Sequence, residues 1–318
     1  MTMQIINAVE MSGEIRLRQV MAMLSKAFGD LRRGDEQSPT RTLLQHGPSE
    51  TLISPAAWNR RGVASVKITT LTPGNAERGL PLIHGVVLLT DIDTGQMLAL
   101  FDGASLTALR TGAVAGLATQ LCAPEQAGDL AILGAGVQAR ATLLAMLAVR
   151  QIRRVRIFSR SALRTQEFAH WARTLTTAPV SVCSSAFEAV QGADLICTTT
   201  STRAREPLVY ADWVAPGAHL NIIGGTHEDA IEVDPALLKT AFVVVETGAA
   251  AREDAGEVRS AMAQGYIQPE GLNELGAVVL GESAAPAGQT TVFRSVGLAI
   301  EDTAAAVALY PFREKTPC

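Results

Sequence analysis

Asp129–Met146 reads DLAILGAGVQARATLLAM. The apolar run Leu130–Leu133 has the length and composition of a buried strand, and the Ala/Leu-rich stretch after Val137 has those of a helix. Between them lies Gly134-Ala135-Gly136-Val137-Gln138-Ala139, a GxGxxA turn. Gly134 permits a tight turn, Gly136 lets a pyrophosphate approach the backbone, and Ala139 lets helix and strand pack closely. The helix N-terminus then faces the anion. The same letters also suit an ordinary Gly-rich turn, but a strand before them and a helix after them predict a dinucleotide site.

Outward from this stretch, strands and helices alternate. Arg154–Ser159, Val180–Cys183, Asp194–Thr199, His219–Ile223 and Ala241–Glu246 read as further strands with short crossovers. This rhythm predicts a doubly wound parallel sheet, the Rossmann arrangement, over 123–290. The second strand ends Phe158-Ser159-Arg160-Ser161, about 25 residues after Gly134, where NAD-binding folds place an acidic residue on the ribose hydroxyl. No Asp or Glu stands there. Ser159, Arg160 and Ser161, with Arg164 one helical turn on, suit a 2′-phosphate, because a guanidinium offers a planar fork of donors. NADPH is therefore expected over NADH, which stays possible. Thr199, at the carboxyl end of its strand, is a further cofactor candidate.

Residues 1–122 have a different texture. A short strand at Met3–Ile6 precedes a helical pattern that gives way to a polar loop at Gly29–Thr40. Short strands follow at Arg41–Leu44 and Glu50–Ile53, then a longer one at Gly62–Thr70. Gly85–Asp91 and Gln96–Phe101 form a hairpin. Ser105 is expected to cap the small-residue helix Leu106–Leu121. A final strand-helix pair, Thr291–Val296 and Gly297–Leu309, is expected to return to this α+β domain. The chain has 318 residues, 47% hydrophobic and 18% charged, which is globular rather than disordered. Its net charge is −4 and its 27 Lys and Arg are scattered, which argues against nucleic acid. The four cysteines show no metal-ligand spacing, so no metal is expected. No apolar run approaches the ~18 residues of a membrane span, and no signal-peptide pattern opens the chain. A cytoplasmic protein with no membrane partner is expected.

Val66–Pro81 (VKITTLTPGNAERGLP), the DxxTGxxLALxDG hairpin of Asp91–Gly103, Leu106–Ala113 (LTALRTGA), GAGVQA, FSR and Thr291–Asp302 (TVFRSVGLAIED) resemble the ornithine cyclodeaminase/mu-crystallin family, in the same order over nearly the whole chain. The resemblance implies a substrate and dimerisation domain beside an NAD(P)-binding domain, a homodimer, and a small cyclic imino acid as substrate. It implies that Lys67 is the active-site lysine. Reducing a cyclic C=N bond needs control of the nitrogen proton, and a desolvated lysine can give or take it near neutral pH. It also implies that Arg41, in PTRTLL, clamps the substrate carboxylate.

Arg110 stands inside an apolar, small-residue helix, where an unpaired charge is costly. A substrate carboxylate or a cofactor phosphate would balance it; a buried structural ion pair is the alternative. Thr111 beside it could add a hydroxyl to a phosphate. After the glycine pair in Asn221–Asp229 (NIIGGTHED) this chain has Thr226, where the family's cyclodeaminases carry an aspartate. Threonine can share a hydrogen bond but cannot act as a carboxylate base. The expectation is NADPH-dependent reduction of Δ1-pyrroline-2-carboxylate to L-proline, and of Δ1-piperideine-2-carboxylate to L-pipecolate. The rivals are an ornithine cyclodeaminase, an alanine-type dehydrogenase and a non-catalytic crystallin-like binding protein.

Overall fold

The computed structural model describes residues 3–39, 41–225 and 229–310. The chain forms two units, Met1–Arg110 with Leu298–Cys318, and Thr111–Gly297. The first boundary falls inside a helix, earlier than the expected break after residue 122.

The first unit contains β1 (Gln4–Ile6), α1 (Glu14–Arg33), β2 (Glu36–Gln37), β3 (Thr42–His46), β4 (Ser49–Trp58), β5 (Val63–Leu71), β6 (Ile83–Asp91) and β7 (Met97–Asp102). Their order is β1-β7-β6-β5-β4-β2, with β3 also paired to β4. Side chains alternate across a strand, so Ala56, Trp58, Val63, Val87, Leu89, Ala99 and Phe101 fall on one face, all buried. Lys67 belongs to this face, opposite Ser54 on β4 and Val87 on β6. Ile68 and Val86, paired on the other face, are exposed.

Two local expectations are corrected here. α1 runs to Arg33, into the expected loop, because Asp30 is held from outside the helix: Trp58 Nε1 donates to its Oδ2 at 3.1 Å. The helix then ends at Gly34, in the left-handed conformation. The next helix, α2, spans Gly103–Cys122, and its first turn is capped by Asp102, whose Oδ1 accepts the Ser105 amide at 2.8 Å. Ser105 is thus the capped residue rather than the cap.

The second unit carries β8 (Asp129–Leu133), α3 (Val137–Val149), β9 (Arg154–Phe158), α4 (Ala162–Ala172), β10 (Val180–Val182), α5 (Ala186–Val190), β11 (Leu195–Thr198), β12 (His219–Ile222), β13 (Phe242–Val245), α6 (Gly248–Asp254), α7 (Gly256–Ala263), β14 (Leu272–Glu274), α8 (Leu275–Val279) and β15 (Thr291–Arg294). All its strand pairs are parallel, in the order β10-β9-β8-β11-β12-β15-β13-β14. Winding runs one way from β8 through β10, then resumes in the other direction at β11. The reversal falls at the carboxyl ends of β8 and β11, the usual ligand position in such sheets.

β15 was expected with the first domain; it lies instead between β12 and β13. Val292 and Phe293 are both fully buried, which suits a central strand covered on both faces. Only the segment from Leu298 returns. It forms α9 (Ala299–Leu309), which packs on α1, β4, β5 and β6 of the first unit. No helix among the described residues is long and apolar enough to cross a membrane.

Candidate active site

The glycine turn is built where β8 ends. Gly134 has φ +127°, a region that excludes most side chains, and its amide donates to the Phe158 carbonyl at 2.8 Å. A Cβ on Gly134 would strike the hydroxyl oxygen of Thr199 and lie 2.9 Å from the Thr199 carbonyl oxygen. Thr199 is held there by its amide (2.8 Å) and hydroxyl (3.2 Å), both donating to the Leu133 carbonyl. Gly136 sits at the start of α3, and among the described residues no side chain caps it and nothing lies within 4 Å of where its Cβ would be. Ala139 is fully buried, while Val137 is exposed and Ala135 and Gln138 are half-buried. First-turn amides without a capping side chain, beside open space, fit a pyrophosphate.

At the end of β9, Ser159 Oγ shares a hydrogen bond with Thr165 Oγ1 at 2.6 Å, and Ser161 caps α4 by accepting the Arg164 amide. Both serines are engaged in shaping the turn. The side chains of Arg160 and Arg164 are exposed and make no hydrogen bond or ion pair among the described residues. Thr111 is buried in α2. The next residue, Gly112, lies so close to α3 that a Cβ would come 2.6 Å from the Ala141 carbonyl oxygen.

The first unit brings two of the expected cations together. Lys67 Nζ lies 2.7 Å from Asp302 Oδ2, with the lysine side chain 13% and the aspartate 1% exposed. Arg110 Nη1 donates to Glu301 Oε2 at 2.8 Å and its Nε to Asp302 Oδ1 at 3.3 Å. Arg110 is thus balanced by the carboxylates of Glu301 and Asp302. The Lys67 pKa is lowered by burial, raised again by Asp302 and lowered further by Arg110. Arg41 immediately precedes β3, partly exposed. Thr226 lies outside the described residues.

Beside it, the glycine pair rests on a buried ionic network. Arg294 donates from Nη1 to the Gly224 carbonyl (2.9 Å), from Nη2 to the Gly225 carbonyl (2.7 Å) and from Nε to Glu257 Oε2 (2.9 Å). Glu232 accepts from the Gly224 amide, both Thr200 donors and the Thr198 hydroxyl, and burial pushes its carboxyl up. It thereby ties the end of β11 to the loop after β12.

Asp302, Glu301, Arg294, Glu257 and Glu232 were missed as individual residues. Arg294, Glu301 and Asp302 are charged residues in apolar stretches, the same signal that Arg110 carries, whereas Glu232 and Glu257 stand among other charges and give no such signal; all five prove buried and paired.

The model of the ornithine cyclodeaminase/mu-crystallin family matches residues 1–315. A Δ1-pyrroline-2-carboxylate reductase of Bacillus cereus is 33% identical over 314 residues, 97% of this chain and 96% of its own. The ketimine reductase mu-crystallin of Mus musculus is 34% identical over 292 residues, 90% of each chain. Among solved structures, Thermococcus litoralis Δ1-pyrroline-2-carboxylate reductase in complex with NADH and L-proline superposes with a TM-score of 0.90 at 31% identity, covering 97% of this chain and 96% of that one. The match runs through both units and includes the motifs that carry the turn and the cations, so this chain belongs to the ornithine cyclodeaminase/mu-crystallin family.

Proposed function

We propose that the protein is an NADPH-dependent reductase of cyclic ketimines, converting Δ1-pyrroline-2-carboxylate to L-proline and the six-membered Δ1-piperideine-2-carboxylate to L-pipecolate. The observation that carries this is a buried lysine beside a buried arginine, Lys67 and Arg110, bridged by one carboxylate, in a chain whose relatives include reductases of such imines. When bound, the dinucleotide supplies the hydride.

The chain's own residues do the rest. Arg41 and Arg110 hold the substrate carboxylate and so select which ring face is presented. Lys67 presents a proton to the imine nitrogen, and the Thr226 hydroxyl adds a hydrogen bond without the base that deamination requires. Gly134–Gln138 and Thr199 seat the pyrophosphate. Thr111 adds a hydroxyl to a cofactor phosphate. Ser159 and Ser161 shape the turn that offers Arg160 and Arg164 to the 2′-phosphate. The exposed apolar pair Ile68 and Val86 supports a homodimer in which a second copy covers that face.

The test is consumption of NADPH by the purified protein with each imine, against Lys67→Ala and against NADH. Turnover well above the variant with both rings is expected. A wild-type rate no higher than that of Lys67→Ala would overturn the reading.

A further inference from the structure

We propose that Asp302 is a positioning residue for Lys67, aiming its Nζ and keeping it in the ammonium form from which the imine nitrogen takes a proton. This rests on the reductase reading of the site. A lysine has a long, freely rotating stem and can be aimed only by what its head touches. Here the head touches Asp302 at 2.7 Å. That carboxylate is itself fixed by how α9 lies on β5: Thr303, the next residue, shares a hydrogen bond with Ser65 at 2.7 Å. Ser65 lies two residues before Lys67 on the same strand face. Two successive tethers, Ser65 to Thr303 and Lys67 to Asp302, therefore register the helix against the strand that carries the lysine.

The charges facing Lys67 are Asp302 and Glu301 from α9 and Arg110 from α2. Asp302 gives one oxygen to each cation, Oδ2 to Lys67 and Oδ1 to Arg110. Glu301 turns its Oε2 to Arg110 and accepts the Leu298 amide on its Oε1 at 2.9 Å, and its charge acts on the lysine less than that of Asp302. Burial and Arg110 both favour loss of the Lys67 proton, and Asp302 is the principal opposing charge. In the proposed step the C=N carbon takes hydride from the reduced dinucleotide and the nitrogen takes a proton from Lys67. The π pair becomes the new N–H bond, Lys67 is left a neutral amine, and solvent returns its proton.

The coupling is read directly by NMR titration of Nζ in protein labelled with isotopic lysine, with the Lys67 signal assigned through Lys67→Arg. Wild-type Lys67 is expected to titrate below an ordinary lysine but above the range of a buried lysine with no counter-charge, about 5–6. In Asp302→Asn, which keeps the shape and removes the charge, the midpoint falls by about one unit or more, and in Asp302→Glu it stays close to wild type. The basic limb of the kcat/KM profile for pyrroline-2-carboxylate moves to lower pH by the same amount in Asp302→Asn only. An unchanged Lys67 midpoint in Asp302→Asn overturns the proposal. So does a wild-type midpoint of about 5–6, the range of a buried lysine with no counter-charge. That wild-type measurement decides the matter even if Asp302→Asn does not fold. A wild-type protein with the expected titrations but no turnover supports the coupling and overturns the reductase reading.

Discussion

Gly134 and Thr199 meet where two neighbouring parallel strands end, so closely that a Cβ on the glycine would overlap the threonine hydroxyl. The turn has glycine there for two reasons, its positive φ and this contact. Gly134→Ala should therefore lower stability by about 1–3 kcal/mol and weaken NADPH binding together. At Gly136 the space is open. Gly136→Ala should leave the melting temperature near wild type while raising the NADPH Kd at least ~10-fold, about 1.4 kcal/mol, because the added methyl occupies the path of the pyrophosphate. Thermal denaturation and fluorescence titration on both variants check the contrast.

Arg160 is exposed at the end of β9 with no partner among the described residues. Arg160→Ala should raise KM for NADPH about tenfold or more, leaving KM for NADH and the melting temperature close to wild type. Steady-state kinetics with the two cofactors test this. An equal loss with both would show that the side chain does not read the 2′-phosphate.

Arg294 is 1% exposed and compensates Glu257 while holding the carbonyls of Gly224 and Gly225. Arg294→Met leaves a buried carboxylate without its counter-charge, and a loss of about 3–5 kcal/mol in chemical denaturation is expected. Adding Glu257→Gln should recover part of that loss. A double variant no more stable than the single one would assign the cost to the lost carbonyl contacts.

Glu36 is buried on β2, and desolvation, with Asp30 and Asp35 nearby, pushes its carboxyl up to about 8. The folded state thus binds this proton more tightly than the unfolded state, whose value is 4.5. The stabilisation is complete below the unfolded value and is lost as pH rises through about 8. Glu36→Gln stays neutral throughout, so its melting temperature should gain on wild type between about pH 5 and about pH 9. Calorimetry across that range measures it, and parallel curves would contradict the assignment.

The parts of the site that could be read from the sequence are local ones. Strand, glycine turn and helix follow one another within Asp129–Val149, and Ser159-Arg160 lies one strand further on, so spacing alone places them. Arg110 was visible as a charge in apolar surroundings, and Lys67 through the family motif in which it stands. What balances them was not: the carboxylates facing Arg110 lie 191 and 192 residues away in the chain, in the first turn of α9, and nothing local says which cation they meet. The same limit explains β15, which is adjacent in sequence to α9 but pairs with β12 and β13.

By itself, the sequence determined a strand, glycine turn and helix of the kind that suits a dinucleotide, Arg160 rather than a carboxylate after the second strand, and Arg110 as a costly charge in an apolar helix. These follow from steric freedom at glycine, from periodicity and from the cost of an isolated buried charge, all of which act within a few residues. The tertiary structure decided that Thr199 closes against Gly134, that Arg294 underpins Gly224 and Gly225, and that Lys67 and Arg110 share Asp302. Those pairings come from strand order and from α9 returning across the first sheet. Long-range contacts are set by how whole faces are buried together, and no short window of sequence contains both partners.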